Sequence, residues 1–365
     1  MNITECKKAL IATLNHNESL SKGDTDQTRI VPYIVGMQGL GKTASAYQAC
    51  LETKRGFFSL VVAQVDPTEL GGQRIPSQDR KSVNVTMPDW LVAINKQIAQ
   101  GFQKGVLFLD ELPQAPTAVL NVCRQLVNER RVGEHHLPDG WSVVCAGNRL
   151  QDKAGVNRLP SHLKDCLTYF NIEPNREATC NYMATKKCDF KVIAYLRARE
   201  QFYCVNDPSQ DSNPTPRSWE RVANILRFNF SDLFSSADIP HILRELISGQ
   251  VGEPAMKDFT AFLKIIKNVP EFMNLDNLIN NPTTAKIPEQ PDVLYALIGA
   301  VAGKANNSNM KNIITYIDRI PQKEYAGIAI MDIVRQNKEM KKNKDLLSWL
   351  RNSNKDGSQN MDLFV

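Results

Sequence analysis

Between residues 30 and 174, short apolar runs alternate with stretches whose apolar positions recur every three or four residues. The runs predict strands at 32–36, 57–64, 105–110, 141–147 and 168–173. The stretches between them predict helices from 43 onward and at 88–102, 116–130 and 160–167. Parallel neighbours need long connections, so strands alternating with helices point to a parallel sheet with crossover helices. Ahead of it, Ile3, Cys6, Leu10, Ile11 and Leu14 predict an amphipathic helix over 2–20, and the polar stretch Ser21 to Gln27 reads as a linker. Asp66 to Pro88, rich in turn formers and charge, interrupts the rhythm, and a segment of that length inside a compact domain is usually functional or mobile.

Past residue 174 the strand pattern stops. Residues 175–230 read as mostly helical, broken at Asn206 to Pro214 by residues that cannot hold a helix. Thr215 then supplies an N-cap and Pro216 a first helical residue, with Trp219, Val222, Ile225 and Leu226 on one face. Helical patches follow at 239–248, 255–267, 291–304, 308–318 and 325–340. The KKNKD run at 341–345 reads as a solvated face, and the last dozen polar residues as a fraying end. The expected organisation is an N-terminal helix and linker (1–29), an α/β domain (30–174), a helical lid (175–230) and an all-helical extension (231–365).

Composition narrows the function classes. A 42% hydrophobic content suits a sizeable core, and 44 basic against 39 acidic residues give +5, which permits nucleic-acid contact without requiring it. With no apolar run near the roughly 18 residues of a membrane span, the expectation is a cytoplasmic protein without membrane contact. The eight cysteines occur singly, without C-x-x-C spacing or a histidine partner, so they read as thiols and not as zinc ligands.

The chemistry concentrates where strands end. Residues 36–43, GMQGLGKT, follow the first strand and spell a phosphate-binding loop. Gly36, Gly39 and Gly41 let backbone N–H groups surround an anion, Lys42 reaches the β- and γ-phosphates, and Thr43 offers a hydroxyl to Mg²⁺. Leu40 and Ala44 complete the nucleotide-binding segment. GVLFLDEL, residues 105–112, is an apolar run ending in two carboxylates at the edge where α/β sheets bind ligands. Asp110 is placed to hold Mg²⁺ through water, and Glu111 to activate a water against the γ-phosphate. Asn148 follows the strand at 141–147, suited either to hold that water or to cap a turn. Arg217 begins a helix, where the dipole disfavours a cation, and a nearby phosphate removes the conflict. Arg130, Arg131, His135 and His136 flank a hairpin-like turn at Pro138 to Gly140, read as exposed or as lining an assembly surface.

Taken in order, GMQGLGKT, DPTELGG, GVLFLDEL, LPDGWSVVCAGNR, VNRLPSHLKD and TPRSWE resemble the MoxR-like AAA+ ATPases, including those encoded beside von Willebrand A-domain proteins. The resemblance covers roughly residues 30–230. It implies an AAA+ core of the P-loop NTPase type, with Walker A at 36–43, Walker B at Asp110 and Glu111, sensor 1 at Asn148 and sensor 2 at Arg217. It implies ATP and Mg²⁺, a hexameric ring, and hydrolysis that remodels a partner protein, and it places the DPTELGG segment where this clade carries a partner-facing insert. One departure matters: the family's trans-acting arginine is replaced by Cys166, and losing such a group costs about 10³–10⁵ in rate. Arg158 is the favoured stand-in, ahead of Arg149 and Lys164. Two other functions compete: a nucleotide-gated scaffold with weak hydrolysis, and a DNA-translocating or helicase-loading ATPase.

Overall fold

In the computed structural model the described residues are 1–20, 29–149, 158–207, 209–229, 239–269, 274–351 and 360. The linker expected at Ser21 to Gln27 and most of the expected fraying end fall outside them. The chain divides into two compact units, Met1–Pro174 and Asn175–Val365.

In the first unit β1 (Pro32–Val35), β2 (Gly56–Val61), β5 (Gly105–Asp110), β8 (Trp141–Gly147) and β9 (Thr168–Asn171) form one five-stranded sheet, ordered β2-β5-β8-β1-β9. Every pairing within it is parallel. This is the expected α/β class: a P-loop-type parallel sheet with helical crossovers, followed by a helical region. The first five residues of β5 and all of β8 are buried, which explains why both read as continuous apolar runs and not as alternating ones. From β1 the chain passes through α2 (Lys42–Glu52) to β2 at the far edge, whereas from β8 it crosses to β9 on the other side of β1. Connections that leave neighbouring strands in opposite directions open a crevice at their C-terminal ends, here between β1 and β8.

Two glycines seat the sheet's largest side chain. A Cβ on Gly56 or Gly105 would lie 2.7 and 2.6 Å from the buried Trp141 ring, so the indole covers both strands only because neither has a side chain. The exposed edge of β2 is closed by Gln97, whose amide donates to the Phe57 carbonyl and accepts from the Phe57 N–H, both at 3.1 Å. Helix α1 (Ile3–Ser19) starts in a capping box between Asn2 and Glu5. Its Glu18 anchors Arg55 at 2.6 Å and Lys104 at 2.7 Å, at the entries to β2 and β5.

Several expected boundaries shift. The strand expected over 57–64 ends at Val61 and passes into a 3-10 turn, Val62–Gln64. Helix α4 covers Asp89–Ala99 and not 88–102, because Gly101, with φ at 103°, turns the chain. The helix expected at 160–167 is the single turn α6, Ser161–Lys164. The segment from Asp66 to Pro88 carries structure of its own. Helix α3 (Pro67–Gly71), capped by Asp66, leads into the antiparallel hairpin β3 (Arg74–Pro76) and β4 (Val83–Val85). Gly72 is obligatory there, since its φ is 85° and a Cβ would lie 1.9 Å from the Thr86 oxygen. The hairpin near Arg131 pairs β6 (Arg131–Val132) with β7 (His135–His136), so it precedes Pro138 to Gly140.

The second unit is all helical among its described residues, and one apolar core runs through it from Cys180 to Trp349. Helices α7 (Arg176–Thr185), α8 (Phe190–Ala198) and α9 (Pro216–Asn229) precede α10 (His241–Val251) and α11 (Glu253–Lys267). Thr215 caps α9 as expected, its hydroxyl accepting from the Ser218 N–H while the Ser218 hydroxyl accepts from the Thr215 N–H. Tyr195 sits within 4.9–5.5 Å of Phe259, Trp219 and Phe262, which stitches α8, α9 and α11. The helix Pro291–Lys304 is apolar nearly all round because it is buried on most sides. Arg197 on α8 meets Asp332 through two bonds, at 2.7 and 3.0 Å, both side chains buried.

Candidate functional site

The loop after β1 is shaped by two left-handed residues, Gly39 (φ 82°) and Gly41 (φ 83°), a conformation that a side chain would strain. Gly36 is tight for a different reason: a Cβ there would lie 3.0 Å from the Ile172 carbonyl and 3.3 Å from the buried Leu40 side chain. Gly41 is the N-cap of α2 and brings no side-chain acceptor, and no acidic residue lies in the helix's first turn. The first-turn N–H groups are therefore directed outward at the positive end of the helix dipole. Ala44, on this turn, is exposed.

Lys42 is 9% exposed, and its Nζ donates to the Gly36 carbonyl at 2.8 Å, the Met37 carbonyl at 3.0 Å and the Asn148 Oδ1 at 2.8 Å. The bond to Asn148 spans the crevice between the ends of β1 and β8. Next along the helix, the Thr43 hydroxyl donates to Asp110 Oδ2 at 2.7 Å, and the Glu111 N–H donates to Asp110 Oδ1 at 2.9 Å. Five residues from three strand ends, Lys42, Thr43, Asp110, Glu111 and Asn148, thus meet in one connected cluster. Glu111 lies in the left-handed region (φ 57°, ψ 33°), which costs a residue with a side chain about 1–2 kcal/mol. That turn carries the chain sharply from β5 into the 3-10 segment Leu112–Gln114.

Sequence reasoning passed over Gly147 and Tyr33. A Cβ on Gly147 would lie 2.4 Å from Pro113 Cδ and 2.6 Å from the Tyr33 hydroxyl, so this glycine lets the end of β8 close onto the turn after Glu111. The signal was present, since a glycine at a strand end just before a polar residue marks a close backbone approach. Burial, helped by Cys145 and Tyr169, pushes the Tyr33 hydroxyl well above its ordinary range and keeps it neutral beside Gly147.

Arg149 follows Asn148 and is half-buried, and Arg158 is exposed ahead of α6. Lys164 is exposed at the end of α6, and the half-buried Cys166 thiol donates to the His162 carbonyl at 3.4 Å and approaches Asn128 Oδ1 at 3.7 Å. Arg217 is exposed on the first turn of α9, in the second unit. Arg130 is turned inward: it donates to the carbonyls of Trp141 at 2.7 Å, Pro138 at 3.1 Å and Leu137 at 3.4 Å.

The cluster suits a phosphate chain and a divalent cation. The glycine cradle and uncapped helix start supply N–H donors, and Lys42 supplies a cation held among oxygen acceptors. Thr43 and Asp110 place a hydroxyl and a carboxylate together, an all-oxygen donor set of the kind Mg²⁺ takes. No group of three or more histidine, cysteine or acidic residues at metal-binding spacing occurs among the described residues, and none of their helices is long and apolar enough to cross a membrane. None of their cysteines forms a disulfide; Cys166 and Cys204 are half-buried and the other six buried.

No protein-family model and no curated protein matches the chain. Among solved structures it is similar to the Thermotoga maritima RuvB P216G mutant, at 13% identity, 82% of this chain, 83% of that chain and a TM-score of 0.40. It is also similar to Thermotoga maritima RuvB, described as a Holliday junction branch migration motor, at 14% identity, 82% and 81% coverage and a TM-score of 0.37.

Proposed function

We propose that the protein is a Mg²⁺-dependent ATPase of the AAA+ class, of the MoxR-like kind, that assembles as a ring and uses hydrolysis to remodel a partner protein. The observation that carries this reading is the junction of Lys42, Thr43, Asp110 and Asn148 at the C-terminal edge of the sheet. In it Lys42 and the N–H groups of residues 36–44 bind the phosphates, and Glu111 takes the proton of the attacking water. Thr43 and Asp110 hold Mg²⁺, which when bound neutralises charge building on the phosphate oxygens. Asn148 orients the water or the γ-phosphate, and Arg217 answers to the same phosphate from the helical lid. Arg158, with Arg149 and Lys164 as alternatives, serves the neighbouring subunit in place of Cys166. The partner is a protein substrate or adaptor, with a von Willebrand A-domain protein as the first candidate.

Glu111→Gln tests the reading. Nucleotide affinity is expected to persist while steady-state phosphate release falls by about 10²–10⁴; unchanged turnover in that variant sinks the assigned base. Specific activity that rises with protein concentration supports a site shared between subunits, whereas tight ATP binding with negligible release at every concentration favours the nucleotide-gated scaffold. Stimulation by DNA with a steep salt dependence favours the DNA-translocating alternative.

A further inference from the structure

The parallel sheet has a second open edge. At the N-terminal ends of β1, β8 and β9 lies a cavity of about 550 Å³, lined among others by Arg29, Asn128, Arg130, Ser142, Cys166 and Thr168. It lies across the sheet from the Lys42 cluster, separated by the length of β1, about 13 Å for four residues at strand rise. Two arginines line this space. Arg130 is fixed by the carbonyls of Leu137, Pro138 and Trp141, and Arg29 donates to the Asn17 carbonyl at 2.6 Å. Neither forms an ion pair with a carboxylate among the described residues, although each retains N–H donors beyond those bonds.

The acids nearby are otherwise engaged or peripheral. Glu129 lines the cavity but pairs with Arg131 at 2.7 Å, and Asp165 is exposed at the rim. Burial and the Arg29 charge both push the Arg130 guanidinium downward, and Asp139 opposes them more weakly. Like charges gathered in a concave site are costly unless an anion joins them.

We propose that this cavity is a second binding site, taking a small molecule with a phosphate or pyrophosphate group seated between Arg29 and Arg130. Its volume falls in the range of small-ligand pockets, and Asn128, Ser142 and Thr168 offer hydrogen bonds to the remainder of the ligand. The arginine forks fit phosphate oxygens in a way a lysine would not. The site stands independently of the nucleotide reading of the opposite edge.

Inorganic pyrophosphate is the probe, titrated calorimetrically at low salt into the full chain. Lys42→Ala is expected to remove binding at the glycine loop and leave one site. Adding Arg29→Gln to that variant is expected to weaken the remaining site by about tenfold or more, with Arg29→Lys recovering part of it. In a Cys204→Ser background, pyrophosphate is expected to slow alkylation of Cys166 several-fold, and this readout holds even if Arg29 variants fold poorly. The proposal is overturned if Lys42→Ala abolishes all pyrophosphate binding, if the remaining binding ignores Arg29→Gln, or if Cys166 alkylation is unaffected. Binding that arises only at concentrations where the chain self-associates assigns the arginines to a contact between copies and overturns it as well.

Discussion

The α/β unit and the helical unit each bury a cation, and they satisfy it differently. Lys42 shares its ammonium among two main-chain carbonyls and the amide oxygen of Asn148. Arg197 instead meets the Asp332 carboxylate through two bonds. Neutral acceptors relieve the desolvation of an ammonium without cancelling its charge. A bidentate carboxylate cancels it, and the pair then serves to fix two helices in register. Asp110 repeats the first arrangement with the sign reversed, held by a hydroxyl and a backbone N–H. In the bonds described, the sheet-edge charges of Lys42 and Asp110 meet neutral groups, and the Arg197 charge in the helical core meets its opposite.

The sharpest way to break this contrast is to remove both cations in turn. Lys42→Ala is expected to lower affinity for a fluorescent ATP analogue by about a hundredfold, the upper end of a charge-assisted bond, with thermal stability nearly unchanged. Arg197→Met should do the reverse. Among the described residues it leaves Asp332 with only the more distant Arg335 at 3.7 Å, and it should destabilise the helical unit by about 3–5 kcal/mol in denaturant unfolding, with nucleotide affinity retained. Replacing Asp332 by Leu in the same chain should recover much of that loss; failure to recover would mean the pair does more than balance charge.

Packing of the sheet provides a smaller effect. Gly105→Ala forces a methyl into the Trp141 ring and is expected to cost the α/β unit about 1–3 kcal/mol, read by urea unfolding. The smallest effect is alkaline. Burial pushes the thiols of Cys6, Cys50 and Cys123 from 9.0 up to about 12, and does the same for Cys180 in the helical unit. A thiol that titrates higher when folded favours the native state only while the unfolded chain also keeps its proton. Stability is therefore fully present below pH 9 and falls as pH rises from 9 toward 12 in both units, since Cys188 in the helical unit is also pushed up, to about 11. Stability that stays flat between pH 9 and 12, followed by circular dichroism, would contradict this.

Legibility followed locality. GMQGLGKT could be read because each residue's demand is met within its own loop: left-handed backbone at Gly39 and Gly41, and a helix start at Lys42. The apolar runs of β5 and β8 were equally plain, since a strand buried on both faces has no polar positions to alternate. The hairpin inside Asp66 to Pro88 was missed because strands of three residues are too short to show a period. A close approach at Gly147 could be read from its place at a strand end, but which residues crowd it could not, because Pro113 and Tyr33 lie far away in the chain.

By itself the sequence determined the parallel α/β class, the helical second half, the glycine-rich turn after β1 and the carboxylates at the end of β5, all of which rest on periods and spacings within one element. Only the tertiary structure decided that Lys42 reaches Asn148, that Glu111 turns left-handed, and that Arg29 and Arg130 share a cavity. The reason is physical: strand order, not chain order, sets which loops become neighbours, and the β2-β5-β8-β1-β9 arrangement brings together ends that lie far apart along the chain.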